Sequence, residues 1–315
     1  MRIAFVILTA MTVTHTCKGQ DADFTQYLST PVYLNPAFAG YDGCSRFAAS
    51  YRNQWPNISR NFQSVNASFD QYVRPFRGGI GVNFQYDNAG GKLKRYSLGV
   101  TYAPVFRLFK EKLIISPALE MGWRRSTINW ENLTFGDMID PRYGFVYQTQ
   151  EITGNDTKDM FDAQVGLLIS HHNFVYGVAF HHITQPNEGF GGVSPLPLKI
   201  TAHATYVGRI SNHFRISPTF IYMKQDDFEM FLPSLAFEFW KVRLGAGFRA
   251  SITNFDSVNF MAGYSFGRFS LGYSFDLTVS SLGMQSGGSH EGHVAVRFNC
   301  KNKEQWRKGV ALIGF

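Results

Sequence analysis

From about Arg46 to Phe298 the chain alternates hydrophobic and polar residues with a period of two. In Ile80–Tyr86, the residues Ile80, Val82, Phe84 and Tyr86 share one face, and Gly81, Asn83 and Gln85 share the other. Tyr96, Leu98, Val100 and Tyr102 oppose Ser97, Gly99 and Thr101 in the same way. So do Phe269, Leu271, Tyr273, Phe275 and Leu277 against Ser270, Gly272, Ser274 and Asp276. Successive side chains of a strand point to opposite faces, so each run predicts a strand with one apolar and one small or polar face. About fourteen runs are legible, starting near Arg46, Gln63, Gly79, Arg95, Leu113, Met160, Asn173, Leu198, His213, Glu229, Lys241, Ser257, Arg268 and Glu291. Three prolines, Pro117, Pro218 and Pro233, fall inside predicted strands. Each should mark a bulge or weak pairing, because proline has no N–H for the ladder.

The connections alternate as well. Short ones follow the even strands: around RPFR, RLFKE, HHN, GRISN, Trp240-Lys241 and Gly267. The odd strands are often followed by longer ones: WPNISRN, the region Trp130 to Lys158, Gln185 to Pro195, and SSLGMQSGGS. Short turns at one rim and long loops at the other are the asymmetry of an outer-membrane barrel. The charges Arg52, Asp70, Glu120, Arg124, Asp162, Lys199, Arg215, Glu238, Arg243, Arg249 and Arg297 all lie on the polar face. The apolar face carries Tyr86, Tyr102, Trp123, Tyr222 and Phe239 near strand ends, as an interfacial girdle does. The prediction is an all-β transmembrane antiparallel barrel of about fourteen strands. A soluble β-sandwich or propeller is the competing reading; it would need some element to cover the apolar face.

The termini divide the chain. Arg2, the apolar run Ile3–Val13 and the small residues before Gln20 predict a signal peptide over 1–19, cleaved after Gly19. An acylated Cys17 is a weaker alternative, since His15-Thr16 poorly precedes a lipidated cysteine. Residues 20–45 precede the first strand and are rich in aromatics. Phe24, Tyr27 and Leu28 are expected on one face of a short helix capped by Asp21 or Asp23 and ended by Pro31. With Tyr33, Leu34, Asn35, Pro36 and Phe38, they are expected to plug the lumen or cross its periplasmic mouth; a disordered leader is the alternative. The barrel is placed over 46–299. The tail 300–315 is expected in the periplasm, as a contact or as a loose end.

Composition narrows the function. The net charge of +7 invites a nucleic-acid reading, but the basic residues are concentrated only in the tail Lys301–Lys308, and no nucleic-acid motif is present. Cys44 stands just before the first strand and Cys300 just after the last. A closed barrel makes those strands neighbours, so a Cys44–Cys300 disulfide across the seam is expected, against two unrelated thiols. His171-His172 and His181-His182 suggest metal ligands, but alternation would put the members of each pair on opposite faces. There is no GxSxG or triad order for a nucleophile, and Gly90-Gly91 and Gly191-Gly192 lack the context of a phosphate loop. Neither an enzyme, a metal nor a cofactor is expected.

Four segments stand out at the long-loop rim. SYRNQWP contributes Arg52, Asn53, Gln54 and Trp55, with Arg52 facing inward. GDMIDPRYGFVY contributes Asp140, Pro141, Arg142 and Tyr143 within the longest loop. HHITQPN contributes His182, Gln185 and Pro186; the run into the last strand contributes Ser289, His290 and Glu291. These are candidate partner-binding residues, and loop packing is the plainer explanation for each.

Taken in order, LNPAFAG, YRNQWP, DPRYGF, HITQP and GSHE resemble the PorP/SprF family of outer-membrane proteins associated with the type IX secretion system of Bacteroidetes. The resemblance covers Gln20 to Phe298. It implies a non-catalytic outer-membrane partner of a large secreted surface protein, such as an adhesin with a C-terminal sorting domain, acting in its secretion or surface retention. It also implies contact with outer-membrane lipid and with other components of the secretion or gliding machinery. The competing function is an outer-membrane pore or a transporter of hydrophobic ligands.

Overall fold

In the computed structural model, residues 21–109, 112–140, 142–149, 154–252, 254–279 and 283–300 are described. The predicted signal peptide, Pro141 and the tail beyond Cys300 lie outside them.

Fourteen long antiparallel strands close into a barrel. They are β1 (Ser45–Gln54), β2 (Phe62–Val73), β3 (Gly78–Ala89), β4 (Leu93–Pro104), β5 (Leu113–Ile128), β6 (Thr157–His171) and β7 (Phe174–His181). The second half comprises β8 (Lys199–Tyr206), β9 (Phe214–Gln225), β10 (Phe228–Phe239), β11 (Val242–Ala250), β12 (Phe255–Phe266), β13 (Phe269–Thr278) and β14 (Ser289–Phe298). Each begins within three residues of its predicted start. Each strand pairs with its neighbours in sequence, and β1 pairs with β14 from Ser45 opposite Phe298 to Gln54 opposite Ser289. Closure leaves no edge, so the ladders satisfy the backbone where there is no water to do so.

The alternation becomes an outside and an inside. Val100, Phe161 and Leu244 point outward and are each more than half exposed. Ala48, Asp70 and Ser126 point inward and are wholly buried. Lipid supplies the apolar environment that the outer face requires. Tight turns at one rim include a 3-10 turn at Arg74–Phe76 and left-handed residues His172, Trp240 and Gly267. The long connections lie at the opposite rim.

The three prolines mark weak pairing without a change of register. The β4–β5 ladder ends at Tyr102–Leu119, two residues short of Pro117. The β8–β9 ladder stops at Thr205–Thr219 beside Pro218, then resumes in the same register at Gly208–Ile216. The β10–β11 ladder skips Leu232 and Pro233. On its other side each proline keeps its place in the ladder, because its carbonyl still accepts where its nitrogen cannot donate.

Residues 21–44 pack against inward-facing wall residues, from Cys44 beside the turn rim to Asp21 beside the loop rim. Phe24, Tyr27, Leu34, Asn35, Pro36 and Phe38 are buried, and Leu28 and Tyr33 partly so. The expected helix over Phe24–Leu28 is not formed. Instead Pro31 opens a four-residue helix, Pro31–Leu34, followed by a 3-10 turn, Pro36–Phe38. Proline suits the first helical position, where its missing N–H is not needed and its φ is already set. Asp21 and Asp23 turn to wall cations instead of capping a helix.

The wall is carved for this segment. A Cβ on Gly79 would overlap the Ala39 carbonyl, and one on Gly166 would overlap the Asn35 side chain. Gly166 is flanked in register by Ala118 and Ala179, all small and buried. Over this shallow floor the Asn35 amide donates to the Leu167 and Val178 carbonyls at 3.2 Å each. Its Oδ1 accepts from Ala37 N at 2.9 Å, and Phe38 stacks on His203 at 5.2 Å.

Candidate functional site

Ion pairs fasten both ends of the inner segment. At the turn rim, Asp42 meets Arg297 at 3.0 Å and Arg46 at 3.6 Å. Gly40 N donates to Asp70, which also holds Arg46 at 2.8 Å. A disulfide joins Cys44 to Cys300, with Cα atoms 4.4 Å apart, where β1 begins and β14 ends.

At the loop rim, Arg52 donates to Asp276 at 2.7 Å and to the Thr25 hydroxyl at 2.7 Å. Thr25 Oγ1 donates to Asp276 at 2.6 Å. Glu291 accepts from the backbone of Thr25 at 2.6 Å and of Gln26 at 3.0 Å. Asp21 holds Arg124 at 2.8 Å and His182 Nε2 at 2.6 Å, while His182 Nδ1 faces Asp162 at 2.5 Å. Both imidazole nitrogens face carboxylates, which suits the charged ring. Burial pulls the His182 pKa down, but Asp21 and Asp162 outweigh it and raise it. Lys199 reaches Asp23 at 3.4 Å.

Arg52, His182, Ser289 and Glu291 were expected to meet a partner, but all four are buried. Three of them grip the inner segment. For Arg52, Ser289 and Glu291, the inward phase of their strands decides this. For His182 the alternation fails: His181 and His182 both turn inward, since β7 ends at His181 and His182 takes a left-handed φ of 59°. In the other pair, the rings of His171 and His172 meet in an exposed turn, their nitrogens 3.0 Å apart.

The remaining candidates lie toward the surface. Asn53, Gln54 and Trp55 are half-buried, and the Trp55 ring meets Phe62 edge-on at 5.6 Å. His290 points outward to the Tyr273 hydroxyl at 2.7 Å. Gln185 is exposed and Pro186 half-buried. In the longest loop, Asp140 accepts from the backbone of Arg142 at 2.7 Å and Tyr143 at 2.9 Å, and from the Tyr147 hydroxyl at 3.0 Å. Those bonds hold its carboxyl below the usual range. They also order a small hairpin, Ile139–Asp140 with Gly144–Phe145. Arg142 lies over the Tyr143 ring at 5.6 Å, and Tyr143 is 70% exposed, beside exposed Val146 and Tyr147. Loop 182–198 folds inward: Glu188 pairs with Arg95 at 2.7 Å. Burial pushes the Glu188 carboxyl up, but Arg95 outweighs it and lowers it.

Sequence reasoning missed Thr25 and Glu188, and read Asp21 only as a helix cap. Their signals were weak: a polar residue in an irregular segment says nothing of its distant partner. Asp276 was legible as inward-facing but not as a partner of Arg52.

The family model described as "Type IX secretion system membrane protein PorP/SprF" matches residues 16–296. The chain belongs to the PorP/SprF family. This PorP/SprF protein is therefore an outer-membrane β-barrel of the type IX secretion family. No curated protein matches it by sequence. Among solved structures, the Ralstonia pickettii toluene transporter TbuX is similar at 10% identity and a TM-score of 0.49, over 86% of this chain and 94% of that one. A Pseudomonas aeruginosa FadL homologue is similar at 9% identity and a TM-score of 0.47, over 81% and 90%. The Acinetobacter baumannii protein Omp33 is similar at 13% and 0.43, over 81% and 100%. These are likenesses of barrel architecture, and no ligand follows from them.

Proposed function

We propose that this PorP/SprF protein is a docking barrel whose lumen is plugged by residues 21–44 and whose long loops hold a large secreted surface protein. It would support that cargo's secretion or retention alongside other type IX components. One observation carries the reading: the inner segment is bonded to the wall at both rims and seated on wall glycines, while the long-loop rim displays an ordered Arg142–Tyr143 hairpin. A general pore needs an open lumen, and a filled one opposes it. Exposed tyrosine and arginine on a hydrogen-bonded turn are residue types enriched at interface hot spots.

Planar-bilayer recordings test this against the pore reading. The intact protein should show no large stable conductance, and deletion of residues 21–40 should create one. Large stable conductance from the intact, folded barrel would refute the plug.

A further inference from the structure

A cavity of about 360 Å³ opens at the long-loop rim, within the size range of ligand sites. Its apolar wall includes Trp55, Phe62 and Phe228, and Asp21, Ala22 and Asp23 of the inner segment contribute to its lining. Five acids line it, Asp21, Asp23, Asp87, Glu229 and Asp256, against two arginines, Arg95 and Arg249. Arg95 is committed to Glu188 at 2.7 Å. Asp21 is held by Arg124 and His182, and Asp87 by Ser64 at 2.7 Å. Asp23 meets Lys199 at 3.4 Å but keeps 18% side-chain exposure, and Asp256, 3.9 Å from Arg249, keeps 35%.

Arg249 supplies an independent sign of a ligand. It is 7% exposed, and its Nε and Nη2 have no hydrogen-bond partner among the described residues. Asp256 and Asp276 each stand 3.9 Å from its guanidinium, too far to bond directly. A buried donor left unmet is costly, so the site calls for an acceptor. A second carboxylate or phosphate would meet the excess of acids. A neutral carbonyl would not, and a cation would be welcomed.

We propose that this cavity receives a peptide segment bearing a lysine or arginine. The cation answers Asp23 and Asp256, its methylene stem lies against the aromatic wall, and a peptide carbonyl accepts from Arg249. This rests on the docking reading and sharpens it: the partner inserts a basic residue at the loop rim, touching the outer end of the inner segment.

The test uses the full-length barrel in detergent and a capped nine-residue glycine–serine peptide with one central lysine, followed by calorimetry or NMR titration. The lysine peptide should bind about tenfold tighter than its glutamate counterpart, and salt should weaken it. Asp256→Asn should cost about fivefold, with heat-dependent gel mobility showing an intact barrel. Equal affinity for both peptides, or none lost in Asp256→Asn, would overturn the proposal. So would binding of maltotriose with no response to the lysine peptide, which would mark a neutral-sugar site. A natural partner lost from Tyr143→Ala but retained by Asp256→Asn would sink the cavity inference alone. Retention by both variants would sink the docking reading as well.

Discussion

Replacing Gly166 by valine should expel the inner segment while leaving the wall intact. Valine suits a strand, so β6 tolerates it. The added Cβ, however, lands on the Asn35 side chain and close to Pro36. Overpacking of this kind costs about 1–3 kcal/mol. The two Asn35 bonds to the Leu167 and Val178 carbonyls are lost with it, at about 1 kcal/mol each. Together these shift docking by about 3–5 kcal/mol, a factor of roughly a hundred to a few thousand at about 1.4 kcal/mol per decade. The assay places a cysteine at partly buried Leu28 and follows its labelling by a membrane-impermeant maleimide, the native Cys44 and Cys300 being paired. Labelling should accelerate by about a hundredfold or more in Gly166→Val. An unchanged rate in a barrel that still shows heat-dependent gel mobility would refute the claim that Gly166 makes room for Asn35.

Four other outcomes are expected. Arg52→Ala removes the guanidinium bonded to Asp276 and nearest Glu291, at a cost of about 3–5 kcal/mol, so hydrogen exchange at residues 21–30 should rise sharply, with partial rescue in Arg52→Lys. The Glu188 carboxyl is lowered, so its hold on loop 182–198 is fully present above about pH 4.3 and is lost as pH falls through its lower folded value; protease cleavage of that loop should rise there. His182 is raised, so its contribution is complete below about pH 6.5 and fades as pH rises through its folded value, which exchange at Asp21–Phe24 should report. Reducing the Cys44–Cys300 bond should cost about 2–5 kcal/mol and lower the temperature at which gel mobility changes, whereas an unchanged temperature would show that the seam needs no staple.

The wall was legible because its physics is local. Val82 and Asn83 must part company in any strand, and lipid outside a closed barrel lets the apolar set face outward. The seam cysteines followed from closure, since Ser45 and Phe298 become neighbours once β1 meets β14. Other features depended on distant partners. Pro31 was read as a stop, although proline equally begins a helix, as it does here. The inward turn of His182 depends on a left-handed backbone at a residue that seldom takes one. Gly166 looked like any small residue on a polar face, and its purpose shows only with Asn35 seated against it. Arg52 was read correctly as inward-facing, but no periodicity links it to Thr25, 27 positions away.

Purification of the barrel from native outer membranes, wild type beside a Tyr143→Ala, Arg142→Ala double variant, tests the docking reading most directly. Mass spectrometry of what co-purifies should find one large secreted surface protein with the wild type and its loss from the variant, while both barrels remain folded. Recovery of the barrel alone in mild detergent, or equal recovery of the partner with both forms, would contradict docking at this rim.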